Sequence, residues 1–337
     1  MINRLEVVRY GPLKQLAWPQ LGPINLILGG SGTGKTFILK ALYSTLRTLE
    51  ECGRGDSPRS ASAILADRLY WTFQPERIGD LVSKGEDGPL ELRCWIDDKL
   101  FGYSFGRDTV RQISELENQV STLSSNCVFM PAKEVLSLHS LILESRERDQ
   151  RFGFDDTYYD LARALRIPAQ QGKSDQSFAQ FRRQLEGLLG CRVEHDERTG
   201  KWSFRHGSQR FPMGVTAEGG KKLAILETLL GNRHLGPNSV VLLDEPESAL
   251  HPSALTSLLE MIASLAERGL QFFLASHSYF VVKKLGIIAQ ELGIPVPVLS
   301  AVGNSWQCAD LRDGLPDNSI TQESIRLYEQ ELALSIG

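Results

Sequence analysis

Eight residues near the N-terminus, Gly29-Gly30-Ser31-Gly32-Thr33-Gly34-Lys35-Thr36, match the pattern G-x-x-x-x-G-K-[ST] at every fixed position. Their flanks restrict the fold further. Ile24-Asn25-Leu26-Ile27-Leu28 reads as a buried strand, and Phe37 to Leu49 carries apolar residues at helical spacing. A strand, a glycine-rich loop and a helix N-terminus together make an anion site: the turn leaves backbone N–H groups pointing inward, and the helix dipole adds partial positive charge. In this setting Lys35 is expected to reach the β- and γ-phosphates of a nucleotide such as ATP, and the Thr36 hydroxyl to ligate Mg²⁺. A glycine-rich turn without a ligand is the competing reading.

The rest of the chain is compatible with a soluble α/β protein. With 337 residues it can form one large domain or two. Asp and Glu total 41 against 37 Lys and Arg, a formal charge of −4, so no basic excess marks a nucleic-acid binder, although a local patch for DNA stays open. Cys52, Cys94, Cys127, Cys191 and Cys308 are scattered without a C-x-x-C pair, which argues against a zinc site or a disulfide framework and fits a reducing cytoplasm. The first residues lack the apolar run of a signal peptide. No stretch approaches the roughly 20 apolar residues that span a bilayer, so no membrane partner is expected.

Taken in order, Ile2 to Tyr10 alternates as a strand and Gly11-Pro12 ends it. Ala61 to Phe73 and Arg77 to Val82 read as helical. Pro89 to Phe105 reads as a β-hairpin about Asp97-Asp98. Asn126 to Met130 is a short strand. Val135 to Leu189 is helical in pattern, interrupted at Pro168 and at the polar Gln170 to Asp175. Strands Arg192 to Asp196 and Lys201 to Arg205 flank a turn at Glu197-Arg198-Thr199-Gly200. Helices and strands then alternate to the C-terminus.

Ser239-Val240-Val241-Leu242-Leu243-Asp244-Glu245 is an apolar strand ending in two acids. Continuous apolar residues suit a strand buried on both faces, and groups at its carboxyl end sit where parallel sheets place ligands. Asp244 suits the Mg²⁺ shell and Glu245 the attacking water, unless the acids merely cap the next helix.

With Pro246-Glu247-Ser248-Ala249-Leu250-His251-Pro252 added, the stretch resembles ABC/SMC-type ATPase heads, whose Walker B strand runs into a D-loop. The form D-E-P-E-x-x-L-H-P is similar to the OLD-like (overcoming lysogenisation defect) branch of AAA ATPases. Phe272-Phe273-Leu274-Ala275-Ser276-His277-Ser278 resembles their switch strand, which implies that His277 touches the γ-phosphate. The resemblance also implies a signature loop that contacts the nucleotide of a second copy. Thr216-Ala217-Glu218-Gly219-Gly220-Lys221-Lys222-Leu223 matches its place, with Glu218 near the missing serine and Lys221 available to a phosphate. A plain helix start with Thr216 as N-cap competes with that reading. Gln74 is the candidate for the glutamine loop. Val128 to Glu134, and Asp310 to Asn318 leading to Tyr328, also resemble ATPase components of the PARIS and Septu anti-phage systems.

What the resemblance implies is a P-loop NTPase of class α/β: an ABC/SMC-like ATPase head with an antiparallel β portion and a helical insertion. Its parts would be an N-terminal lobe over 1–134, the insertion over 135–190 and a C-terminal lobe over 191–337. It would bind ATP and Mg²⁺ between two copies of a homo-oligomer and control a separate effector, a nuclease or toxin. The insertion is too short, and too broken at Pro168, for the coiled-coil arm of an SMC protein. Phe152, Phe154, Tyr158 and Tyr159 read as helix packing rather than base stacking. A RecF-like DNA-repair ATPase and a non-hydrolysing scaffold that sequesters a toxin are the alternatives.

Overall fold

The computed structural model describes the chain except residues 56–57, 86, 170–175, 197–198, 216–217, 304 and 337. Strands β1 (Ile2–Tyr10), β2 (Leu13–Trp18) and β3 (Ile24–Leu28) lead into helix α1 (Lys35–Glu51). Helix α2 (Ala61–Phe73) precedes β4 (Leu90–Ile96), β5 (Lys99–Phe105), β6 (Glu115–Asn118) and β7 (Cys127–Met130). Helices α3 (His139–Glu147), α4 (Asp156–Leu165) and α5 (Gln176–Leu189) follow, then β8 (Arg192–Asp196), β9 (Lys201–His206) and β10 (Gln209–Pro212). The C-terminal part alternates: α6 (Glu218–Gly231), β11 (Val240–Asp244), α7 (Pro252–Ala266), β12 (Gln271–Ser276), α8 (Tyr279–Leu292), β13 (Pro297–Val302), β14 (Ser305–Asp310) and α9 (Ser319–Ile336).

The central sheet has the order β14-β13-β3-β12-β11-β7, parallel except for the antiparallel edge strand β14. Its inner strands are apolar at nearly every position because both faces are covered. Side chains alternate between the two layers. Leu26, Val241, Leu243, Phe272 and Leu274 face the core made with α6, α7 and α8. Ile27, Val240, Leu242, Phe273 and Ala275 face the core shared with α1, α2 and the antiparallel sheet. That second sheet, β2-β1-β4-β5-β6, meets the first through Gln271, whose carboxamide accepts from the Ile2 N–H at 2.9 Å and donates to the Ile2 carbonyl at 2.7 Å. Asp97 and Asp98 both have positive φ (48° and 63°), the geometry of a two-residue hairpin turn.

Several elements depart from the sequence reading. β2, β6, β10 and β14 are strands that it did not assign. Arg77 to Val82 is a single 3₁₀ turn at Ile78–Leu81. The region 135–189 is broken between α3 and α4 as well as after α4. The expected break at Gln170 to Asp175, the first half of the Glu197–Gly200 turn, and the cap residue Thr216 lie outside the described residues. Phe152 packs on Tyr70 and Trp71 (5.1 and 5.4 Å between ring centres), and Phe154 lies 6.0 Å from Tyr158, so these aromatics are packing groups. No helix among the described residues is long and apolar enough to cross a membrane.

Helix α4 is fastened to α1 and α2 by charge. Asp160 accepts from Tyr43 Oη (2.5 Å), Arg47 Nε (3.1 Å) and Arg68 Nη1 (2.8 Å), and Asp156 accepts from Arg68 (2.8 Å) and Arg146 (2.7 Å). Lys40 pairs with Asp155 at 2.6 Å. Burial opposes ionisation of Asp160, yet Arg68 and Arg47 outweigh it and hold the carboxyl down to about 2. Because the folded carboxyl ionises below its ordinary value of 3.8, its stabilising contribution is complete above pH 4 and fades as pH falls towards 2. Asp160→Asn is expected to lower stability by about 3 kcal/mol at pH 7, since two guanidinium groups lose a mostly buried partner. Denaturant midpoints measured from pH 7 to pH 2.5 check this: the variant should start lower and lose less on acidification.

Candidate functional site

The glycine-rich loop leaves the carboxyl end of β3 and turns into α1 at Gly34, which has φ of 99° and caps the helix with no side chain. A side chain there would strain this left-handed conformation and press on Leu13 and Pro12 of the β1–β2 turn. Behind the loop, Phe37 packs on Phe73 (4.6 Å) and Tyr10 (5.2 Å), so the first turn of α1 is fixed from two sides. Thr33 Oγ1 donates to the Gly30 carbonyl at 3.0 Å. Ser31 and Gly32 lie in the exposed crest of the loop. The Lys35 ammonium is bent over the loop and donates to the Gly29 and Gly30 carbonyls, both at 2.8 Å. Burial draws its pKa below the usual lysine value, while Glu245, Asp244 and Glu247 push it back up.

The structure brings Asp244 to this loop. Thr36 Oγ1 stands 2.9 and 3.1 Å from the two Asp244 carboxylate oxygens, although β12 lies between β3 and β11 in the sheet. The contact forms because α1 crosses over the sheet from the end of β3 and its first turn overhangs the end of β11. Burial raises the Asp244 pKa; the Thr36 hydrogen bond opposes this, Glu245 adds to it, and Lys35 and Lys40 offset it. Burial, then the carboxylates of Asp155 and Asp244, push the Tyr158 phenol up to about 12.

After Asp244 the chain makes a tight, strained turn. Glu245 has φ of 48° and Ala249 of 63°, unusual for residues other than glycine. The turn is held by Glu245 N donating to the Ala275 carbonyl (2.9 Å), by Ser248 N to the Glu245 carbonyl (3.0 Å) and by Lys222 Nζ to that same carbonyl (2.7 Å). His277, just beyond β12, places Nδ1 3.3 Å from Glu245 Oε1 and 3.7 Å from Glu247 Oε1. Lys35, Thr36, Asp244, Glu245 and His277 therefore converge at the carboxyl edge of the parallel sheet, the edge at which such sheets bind ligands.

The remaining candidates are placed differently. Lys221 is a correction to the expectation that it meets a phosphate of a second copy: it is buried and its ammonium pairs with Glu134 at 3.2 Å. Gly219 packs so closely on the turn after β11 that a Cβ would lie 2.5 Å from the Ala249 carbonyl oxygen. Gly220 follows in the same first turn of α6. The side chain of Glu218 lies outside the described residues. Gln74 caps the C-terminus of α2 in the left-handed conformation, and its Oε1 accepts from Gly153 N at 3.3 Å. The sequence reading gave no role to Glu247, Glu134 or Lys222. Glu247 was visible in the D-E-P-E string; Glu134 and Lys222 acquire their roles only through contacts made on folding.

The donor set suits Mg-ATP. Mg²⁺ is commonly held by one or two protein oxygens together with phosphates and water, and Thr36 Oγ1 and Asp244 offer two such groups beside the loop. No group of three or more His, Cys, Asp or Glu among the described residues forms a separate metal cage.

No curated protein matches the chain. The family model described as "AAA domain, putative AbiEii toxin, Type IV TA system" matches residues 24–283, from β3 into α8. Among solved structures the chain is similar to an SMC head bound to the C-winged helix domain of ScpA, 14% identical, covering 92% of this chain and 97% of that one with a TM-score of 0.53. It is also similar to an SMC head domain with an extended coiled coil, bound to the C-terminal domain of ScpA derived from Pyrococcus furiosus. That pair is 12% identical and covers 98% of each chain at a TM-score of 0.50. At such identities the likeness speaks for the fold, while the family match spans both halves of the converging site. The chain belongs to this AAA-domain family and is an ATPase built on the fold of an ABC/SMC-like head.

Proposed function

We propose that the protein hydrolyses Mg-ATP slowly, as a switch, between two copies of itself, and that the nucleotide state controls a separate effector of the nuclease or toxin class in anti-phage defence. The observation that carries the reading is the contact of Thr36 with Asp244, with Glu245 and His277 facing the same corner. Lys35 and the loop from Gly29 to Gly34 hold the phosphates, and Thr36 and Asp244 hold the metal. Bound Mg²⁺ supplies positive charge that neutralises the phosphate oxygens. Glu245 orients water and accepts its proton, and His277 contacts the terminal phosphate. The first turn of α6, at Gly219 and Gly220, faces the nucleotide of the second copy. Effector control is supported by the family description, which names a toxin of a toxin–antitoxin system, and by the SMC head whose solved structure holds a winged-helix partner.

The test is steady-state turnover and solution mass of purified protein. Glu245→Gln should lower kcat by about 100-fold or more while keeping ATP bound and enriching the dimer. A variant that turns over ATP at the wild-type rate removes Glu245 as the base. Gly219→Ala forces the 2.5 Å approach to Ala249 apart, so it should lower stability by about 1–3 kcal/mol and slow turnover with it. Thermal unfolding and rate measured on one preparation check that coupling.

A further inference from the structure

The Glu247 side chain is more buried and more tightly engaged than a turn residue needs to be. Its Oε1 accepts from Ser276 Oγ at 2.7 Å and from the His277 backbone N–H at 3.2 Å, and lies 3.7 Å from His277 Nδ1. Ser276 Oγ in turn accepts from Ser278 N at 3.0 Å. The relay Ser278 N–H to Ser276 to Glu247 therefore ties the end of β12 and the start of α8 to the turn that carries Glu245. Ser278, the N-cap of α8, makes no capping bond with its own side chain, so the relay gives that helix terminus its nearby acceptor and negative charge. Glu247 Oε2 is buried and has no hydrogen-bond partner among the described residues. An anionic acceptor holds such N–H and O–H donors about twice as strongly as a neutral one.

From this geometry we infer that Glu247 is the positioning residue of His277: it fixes the backbone of the switch histidine, and through it the imidazole, relative to Glu245, and so sets the rate of hydrolysis more than ATP affinity. The inference rests on the ATPase reading above. Ser276 is the intermediary. Because one carboxylate oxygen serves both the Ser276 hydroxyl and the His277 N–H, loss of the acceptor frees the histidine on its backbone side, from which the ring is carried. A glutamine retains an acceptor oxygen in the same place, whereas alanine retains none.

The experiment is steady-state Mg-ATP turnover of the full chain, wild type against Glu247→Ala, Glu247→Gln, His277→Ala and the Glu247→Ala/His277→Ala pair, with thermal unfolding of each. Glu247→Ala should lower kcat by about tenfold or more with KM within about threefold, and Glu247→Gln should recover most of that loss. The paired variant should be no slower than His277→Ala, because residues acting as a unit are not additive. A wild-type kcat for Glu247→Ala, a Glu247→Gln as slow as the alanine variant, or losses that multiply in the pair overturn the inference. If Glu247→Ala does not fold, Ser276→Ala takes its place in the same cycle, with a loss of about threefold that vanishes on the His277→Ala background. A wild type without turnover overturns the proposed function itself, whereas a normal wild-type rate beside an unaffected Glu247→Ala removes only the role of Glu247.

Discussion

The hydrogen bond from Thr36 to Asp244 joins positions 208 residues apart, and the geometry of the site depends on it. It requires β3 and β11 to run parallel in one sheet, so that both carboxyl ends open on the same edge. It also requires α1 to pack across β12 and β11 with its first turn above the Asp244 corner. The apolar runs of β3, β11 and β12 meet the first requirement, since only a sheet covered on both faces takes in Leu26, Leu242 and Phe273 without exposing them. The Phe37, Phe73 and Tyr10 cluster meets the second, holding the start of α1 against the antiparallel sheet.

Around that contact, polar groups are satisfied by one another over long sequence distances. Lys222 holds the Glu245 carbonyl, Glu134 holds Lys221, and Gly219 touches Ala249, so the first turn of α6 is joined directly to the turn after β11. Helix α4 is bound in a similar way on the other side, through Lys40 with Asp155 and through the Arg47, Arg68 and Asp160 cluster. Buried ion pairs of this kind stabilise less than their number suggests, because desolvation offsets most of their attraction. What they do contribute is register, since Asp160 is shared by Arg47 and Arg68, and Asp156 by Arg68 and Arg146, so the network closes only when α1, α2, α3 and α4 are in place.

The strongest signals in the sequence were those with a local physical cause. The phosphate loop needs glycine where φ is positive and a lysine and a threonine at the helix start, and all of these are adjacent in the chain. The same holds for the Asp97-Asp98 hairpin and for the apolar strand before Asp244. β6, β10 and β14 were missed because they are exposed edge strands with mixed polarity. β2 was missed although Leu13, Leu16 and Trp18 are buried, because the polar pair Lys14-Gln15 interrupts its alternation. Lys221 read as a charge available to a phosphate, since nothing local to it shows that Glu134 arrives beside it.

By itself, then, the chain's order of residues pointed to an α/β class of fold, the anion-binding loop and the two acids, Asp244 and Glu245, that end an apolar strand. These follow from backbone sterics, side-chain period and charge, which act over a few residues, whereas His277 was singled out by resemblance to a family. Only the tertiary structure decided which of those groups meet, that Lys221 turns inward, and that Glu247 and Ser276 hold His277. The reason is that such contacts depend on how strands are ordered in the sheet and where α1 and α6 pack on it, and strand order is settled by long-range burial that no local pattern of residues encodes.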